Sequence, residues 1–190
     1  IYAKQDQEAI NLLEKALKTV KNKQKKIRWT YLTAQLYEIT GQAQNALSNY
    51  TKVIKSNAPF DMAFNANLSR INLKTELSGD TSGRTKEIMA LLKDDKNREL
   101  LDQVYFQIAN SYAQVNNFEK AIENYNLAVS KSTKNLNLKG LAYLELAEIY
   151  FSKSDFLMSK NYYDSTLISL PKNYPDYLLI KKKADNLEVL

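Results

Sequence analysis

Residues Tyr105–Ala128 read YFQIANSYAQVNNFEKAIENYNLA. Ala109 is followed three residues later by Tyr112; nine further on comes Ala121, and four beyond it Tyr125. Tyr105, Ile108, Ala109 and Tyr112, then Phe118, Ala121, Tyr125 and Ala128, keep the three-and-four spacing of one helix face. The same register occurs twice more without gaps. Ala34, Tyr37, Ala46 and Tyr50 carry it upstream, with Gly41 and Val53; Ala147, Tyr150, Ser159 and Tyr163 carry it downstream, with Phe156, Thr166 and Pro171. Small residues let paired helices approach closely, and the tyrosines fill the wedge between one pair and the next. Because small and large positions recur together three times, the stretch reads as stacked antiparallel helix pairs.

This pattern resembles the tetratricopeptide repeat, W-x2-L-G-x2-Y, then A-x3-F, then P. The resemblance implies an all-α superhelix, an α-solenoid of helix pairs with a C-terminal capping helix. The expected plan is one array over residues 1–190: a partial repeat at 1–20, a repeat at 27–59, a divergent repeat at 60–94, repeats at 98–135 and 138–173, and a cap at 174–190. Residues 5 to 20 read as a second repeat helix alone, with Ala9, Ile10, Leu13, Ala16 and Leu17. Its partner would lie before Ile1, with its tail in Ile1 to Lys4, so the chain reads as a fragment cut from a larger protein. In the divergent unit a helix is expected from about Asp61 to Leu77 and another from about Arg84 to Lys93. Ser78 to Gly83 reads as a loop between them. That loop lacks the G-x4-G-K-[ST] spacing of a phosphate loop. Repeat spacings of 75 and 38 residues, counted at Ala34, Ala109 and Ala147, require longer helices or loops near Ser130 to Asn137.

Composition narrows the function. Hydrophobic residues make up 44% of the chain, with only 4 Gly and 3 Pro, which favours packed long helices. There is no Cys and no His. Zinc sites use those residues almost without exception, and His is the usual general base, so no catalytic, cofactor or metal set is assigned. The helix register makes Glu145 and Glu148 solvated salt-bridge partners and not an acid–base pair. No stretch is apolar enough to span a membrane. The net charge of +6 is mild, and no nucleic-acid partner is assigned. Its densest run, Lys21, Lys23, Lys25, Lys26 and Arg28, reads as a solvated loop or as a contact for an acidic partner or anionic membrane surface.

Several segments resemble a narrower group, the PorW/SprE family of repeat-containing lipoproteins in the type IX secretion and gliding-motility apparatus. They are Tyr31 to Tyr37, Ala58 to Ala66 (APFDMAFNA), Leu92 to Asn97, Asp102 to Tyr105, and Tyr163 to Ser165 leading to Pro171 and Pro175. The resemblance implies a periplasm-facing lipoprotein of the cell envelope that links secretion-complex components. The family's lipid-bearing Cys is absent, as expected of an internal fragment. The alternatives are a generic cytoplasmic adaptor built from the same repeat, and an accessory domain of an envelope enzyme.

In such arrays the first helix of each repeat lines a concave face. By the register that face receives Arg28, Tyr31, Gln35 and Glu38, then Asn67, Arg70 and Lys74. Further on it receives Gln103, Phe106, Asn110 and Gln114, and last Leu144 and Glu148. Aromatic, amide and Arg groups are enriched at protein interfaces, so a protein or peptide segment is the expected partner. Tyr31 and Phe106 share one repeat position and are expected to be free of packing duty. Tyr31, Ala63, Phe106 or Leu144 stands where chaperone-tail receptors place Lys, which argues against that ligand.

Overall fold

The computed structural model describes residues 2–187, which form ten α-helices and two 3-10 helices and no strand. They divide between Arg84 and Thr85 into two compact units. The boundary falls inside the segment read as one divergent repeat. The first unit holds α1 (Tyr2–Thr19), α2 (Lys23–Ile39), α3 (Ala43–Ile54) and α4 (Phe60–Ser78), packed in sequence order. The helix α5 (Thr81–Ala90) begins in this unit and has most of its length in the second. 3-10 turns at Leu91–Lys93 and Asp95–Leu100 follow. Then come α6 (Leu101–Gln114), α7 (Phe118–Lys131), α8 (Leu136–Ser152), α9 (Phe156–Ser169) and α10 (Tyr177–Leu187), each packed on its successor. Residues 188–190, the end of the expected cap at 174–190, and Ile1 lie outside the described residues. Among the described residues no helix is long and apolar enough to cross a membrane.

The small positions behave as the register requires. Ala34, Ala46, Ala109, Ala121, Ala147 and Ser159 are all fully buried, as are Tyr50, Tyr125 and Tyr163. In the first unit Ala34, Ala46, Tyr50 and Val53 share a core with Ile10 of α1 and with Ala66 and Leu73 of α4. In the second, Ala109, Ala121 and Tyr125 share one with Ala142, Leu146 and Ile149 of α8. Burying a large side chain contributes about 1.5–3 kcal/mol, so each tyrosine ring is a major stabiliser of its pair.

The turn inside each pair is also repeated. Gly41, Asn116 and Ser154 occupy one repeat position, and all three are left-handed, at φ 72°, 57° and 60°. The next residue's N–H reaches back to Tyr37, Tyr112 or Tyr150, at 2.7, 2.9 and 3.0 Å, which closes the helix end. Asn117 and Asp155 then cap α7 and α9 through side-chain oxygens. A left-handed backbone strains a residue that has a Cβ, and Asn tolerates it better than Ser. Ser154→Gly is therefore expected to raise stability by about 0.5–1 kcal/mol, less than the strain relieved because Gly costs more chain entropy. Asn116→Gly should gain less. Thermal melts of both variants check the order; a larger gain at Asn116 contradicts it.

One local expectation is corrected. Ser78 to Gly83 is not a loop throughout, because α5 starts at Thr81. Asp80 explains this: its Oδ1 accepts the Gly83 N–H at 2.7 Å, an N-cap directly after the left-handed Gly79 that ends α4. The longer helices or loops expected near Ser130 to Asn137 are found as a longer α8, which has 17 residues against 14 in α6. At Gly140 in α8 an added Cβ would lie 2.6 Å from the Leu170 side chain. The missing side chain is what lets the end of α9 close on α8.

Candidate functional site

The residues expected on a binding face are described unit by unit. On α2, Arg28 is exposed, while Tyr31 and Gln35 are half-buried. Tyr31 is not free of packing duty. Its ring meets Tyr50 edge-on, with centroids 5.8 Å apart and planes at 63°. Glu38 accepts the Tyr50 hydroxyl. Burial, then Glu38, raises the Tyr50 pKa, and the same two causes raise that of Tyr31. Tyr37 is pushed up to about 12 by burial first, then by its hydrogen bond to Glu14 of α1. On α4, Arg70 donates through Nε and Nη2 to Asn67 Oδ1 at 3.1 and 3.0 Å, which fixes the guanidinium along the helix. Lys74, one turn on, is exposed.

The second unit repeats the arrangement. Phe106 meets Tyr125 edge-on at 5.6 Å and 61°, nearly the Tyr31–Tyr50 geometry. The Tyr125 hydroxyl donates to Asn110 Oδ1 at 2.7 Å. Leu144, at the same repeat position, packs on the core around Ala147 and Tyr163. So this position covers the buried tyrosine of its own pair, and the expectation that Tyr31 and Phe106 lack a structural role is overturned. The physical reason is reach. The tyrosine of the second helix crosses the pair and ends on the first helix, where an edge-on aromatic shields its ring. Asn110 supplies an internal acceptor, so its amide oxygen is already engaged.

Glu148 is likewise occupied. It pairs with Lys183 of α10, and the Lys183 Nζ sits 5.8 Å over the Tyr163 ring. Tyr163 Oη is buried and has no hydrogen-bond partner. Burial and then the nearby Glu148 carboxylate raise its pKa, but Glu148 Oε1 is turned to the lysine. The helix α10 thus takes the acceptor that Asn110 offers Tyr125 in the previous pair. Gln103 is half-buried in the first turn of α6, beside buried Asp102, which accepts the Ser132 hydroxyl at 3.0 Å and ties α6 to the end of α7. Glu38, Asp102 and Lys183 are the partners that sequence reasoning did not assign.

Glu145 departs from its expected solvated role, because it is half-buried. Burial raises its pKa from the ordinary 4.5, and the Glu148 charge adds to the effect. A carboxyl with a raised folded pKa stabilises the fold fully below 4.5 and loses that contribution as pH rises through the folded pKa. Glu145→Gln is therefore expected to stabilise the protein at neutral pH. The gain should vanish on acidification below the ordinary value. Melts from pH 3 to 8 check this (about that range spans carboxyl titration); a loss of stability at neutral pH contradicts it.

The chemistry of these faces suits recognition. The first helices α2 and α4 offer amide, guanidinium and ammonium groups, and α6 offers amides. A family model described as Tetratricopeptide repeat matches residues 102–130, the α6–α7 pair. Among similar solved structures is the crystal structure of BtubC (BKLC) from P. vanneervenii, with 13% identity. That match covers 98% of this chain and 82% of the other, with a TM-score of 0.65. A search of curated proteins finds no match by sequence. The family match shows a tetratricopeptide repeat at residues 102–130, and the structural likeness shows the fold, all-α and solenoid-type.

Proposed function

We propose that the chain is a non-catalytic scaffold that binds a protein segment along the first helices of its pairs. The observation that carries this reading is the threefold recurrence of one helix pair. The small positions and the buried tyrosines serve the core, and the polar residues beside them serve the surface. Repeats of this type generally bind proteins or peptides. The contacting residues we propose are those that the packing of each pair leaves available. Arg28, Gln35 and Gln103 reach the surface, with Arg70 held in place by Asn67. Tyr31, Phe106 and Asn110 position the face and contribute an edge, and Glu148 is committed to α10.

The finer reading places this scaffold in a type IX secretion or gliding-motility complex, on the periplasmic side of the outer membrane. It is supported by the segments Tyr31 to Tyr37, Ala58 to Ala66, Leu92 to Asn97, Asp102 to Tyr105, and Tyr163 to Ser165 leading to Pro171 and Pro175, which follow in order and resemble the PorW/SprE lipoproteins. A photo-crosslinking residue placed at Gln35 or Gln103 in the protein expressed in cells tests both levels. Envelope proteins captured from those positions, and not from Glu123 on the second helix α7, are the expected result. Equal capture from all three positions contradicts the face. Capture of cytosolic proteins alone contradicts the envelope.

A further inference from the structure

The excess positive charge of the chain falls in one stretch of its sequence. Residues 15–60 contain nine Lys and Arg and one acid, Glu38, a local charge of +8 where the whole chain carries +6. Glu38 cannot offset the run that opens α2. It lies at the other end of that helix, about 22 Å from Lys23 at 1.5 Å per residue, and it accepts the Tyr50 hydroxyl. Among the described residues, Lys23, Lys25, Lys26, Arg28, Lys52 and Lys55 have no ion-pair partner.

The start of α2 makes this costly. A helix N-terminus carries the positive end of the backbone dipole and is stabilised by acids. The first turn of α2 has none and holds Lys23, Lys25 and Lys26 instead. Only the Asn22 side chain caps it, accepting the Lys25 N–H at 3.0 Å. The sequence therefore keeps an electrostatic arrangement that weakens its own helix.

Between this end of α2 and the end of α3 lies a groove of about 560 Å³. Lys23, Lys26 and Lys52 line it around Ile27 and Val53, with Thr30 and Ser56 as hydroxyl groups. Cations at the rim of an apolar floor match a chain that alternates negative and apolar groups. We propose that this groove binds an extended acidic protein segment, its carboxylates on Lys23, Lys26 and Lys52 and an apolar side chain against Ile27 and Val53. An anionic membrane shares the charge, but a flat bilayer surface does not enter a concave site. This site uses none of the first-helix face residues Tyr31, Gln35 or Arg70, so it stands independently of the reading above.

The probe is a short fluorescein-labelled peptide of Asp and Glu containing two Leu, followed by anisotropy against the full chain. Lys23→Glu with Lys26→Glu is expected to weaken binding about tenfold or more, as is Lys52→Glu added to either. Lys181→Glu with Lys182→Glu, the same charge change on α10, should leave affinity within about twofold. Circular dichroism confirms folding, and Lys23→Gln with Lys26→Gln reads the same loss at smaller size if the reversal unfolds α2. The proposal is overturned if the α10 reversal weakens binding equally, or if a peptide with Ser replacing Leu binds as tightly. It is overturned too if phosphatidylglycerol vesicles or a single-stranded oligonucleotide bind while the peptide does not.

Discussion

Tyr125→Ala is expected to cost about 3–5 kcal/mol, the range for truncating a buried aromatic, and to unfold much of the second unit at moderate temperature. The ring is fully buried among Ala109, Ala121, Ala128 and Leu146, with Phe106 on its edge. Small domains have roughly 5–15 kcal/mol in all, so the loss is a large share. Tyr125→Phe separates ring from hydroxyl. It gives up the bond to Asn110, and half-buried Asn110 can be rehydrated, so about 1 kcal/mol should be lost. Urea titrations of both variants check this. Equal costs for Ala and Phe would mean that the hydroxyl, and not ring packing, holds the pair.

The second large effect is expected at Ala109→Leu. Ala109 and Ala121 are both 0% exposed and belong to one core cluster where α6 meets α7. Three added carbons find no space there, and overpacking costs about 1–3 kcal/mol. Helix propensity cannot offset this, since Leu is slightly worse than Ala. Glu123→Leu, on the exposed side of α7, should stay within about 0.5 kcal/mol. If Ala109→Leu melts with the unaltered protein, the small–large register is not the one that packs the pair.

The small and buried-tyrosine positions were legible because a repeat states them three times and each repetition checks the others. Ala34, Ala109 and Ala147, with Tyr50, Tyr125 and Tyr163, could be placed from spacing alone. The duty of Tyr31 and Phe106 could not. Periodicity tells which side of a helix a residue occupies, but not how far a tyrosine from the neighbouring helix reaches toward it. The ion pair of Glu148 is hidden from the sequence for a related reason. The repeat defines its position within its own pair, whereas its partner Lys183 comes from α10, outside the repeat. The early start of α5 follows from Asp80 as a cap, which sits within the segment that reads as a loop because it holds Gly79 and Gly83. The groove at Lys23, Lys26 and Lys52 needed both the charge count and the fold, since Lys52 is brought to the lysine run only by the antiparallel return of α3.

The register that builds each pair is tested most directly by nuclear Overhauser contacts among alanine methyl groups. With Ala methyls labelled, Ala34 should show contacts to Ala46, and Ala109 to Ala121, each also touching the ring of Tyr50 or Tyr125. Contacts pairing Ala109 with residues of the exposed side of α7, such as Glu123 or Asn126, with none to Ala121, would contradict it.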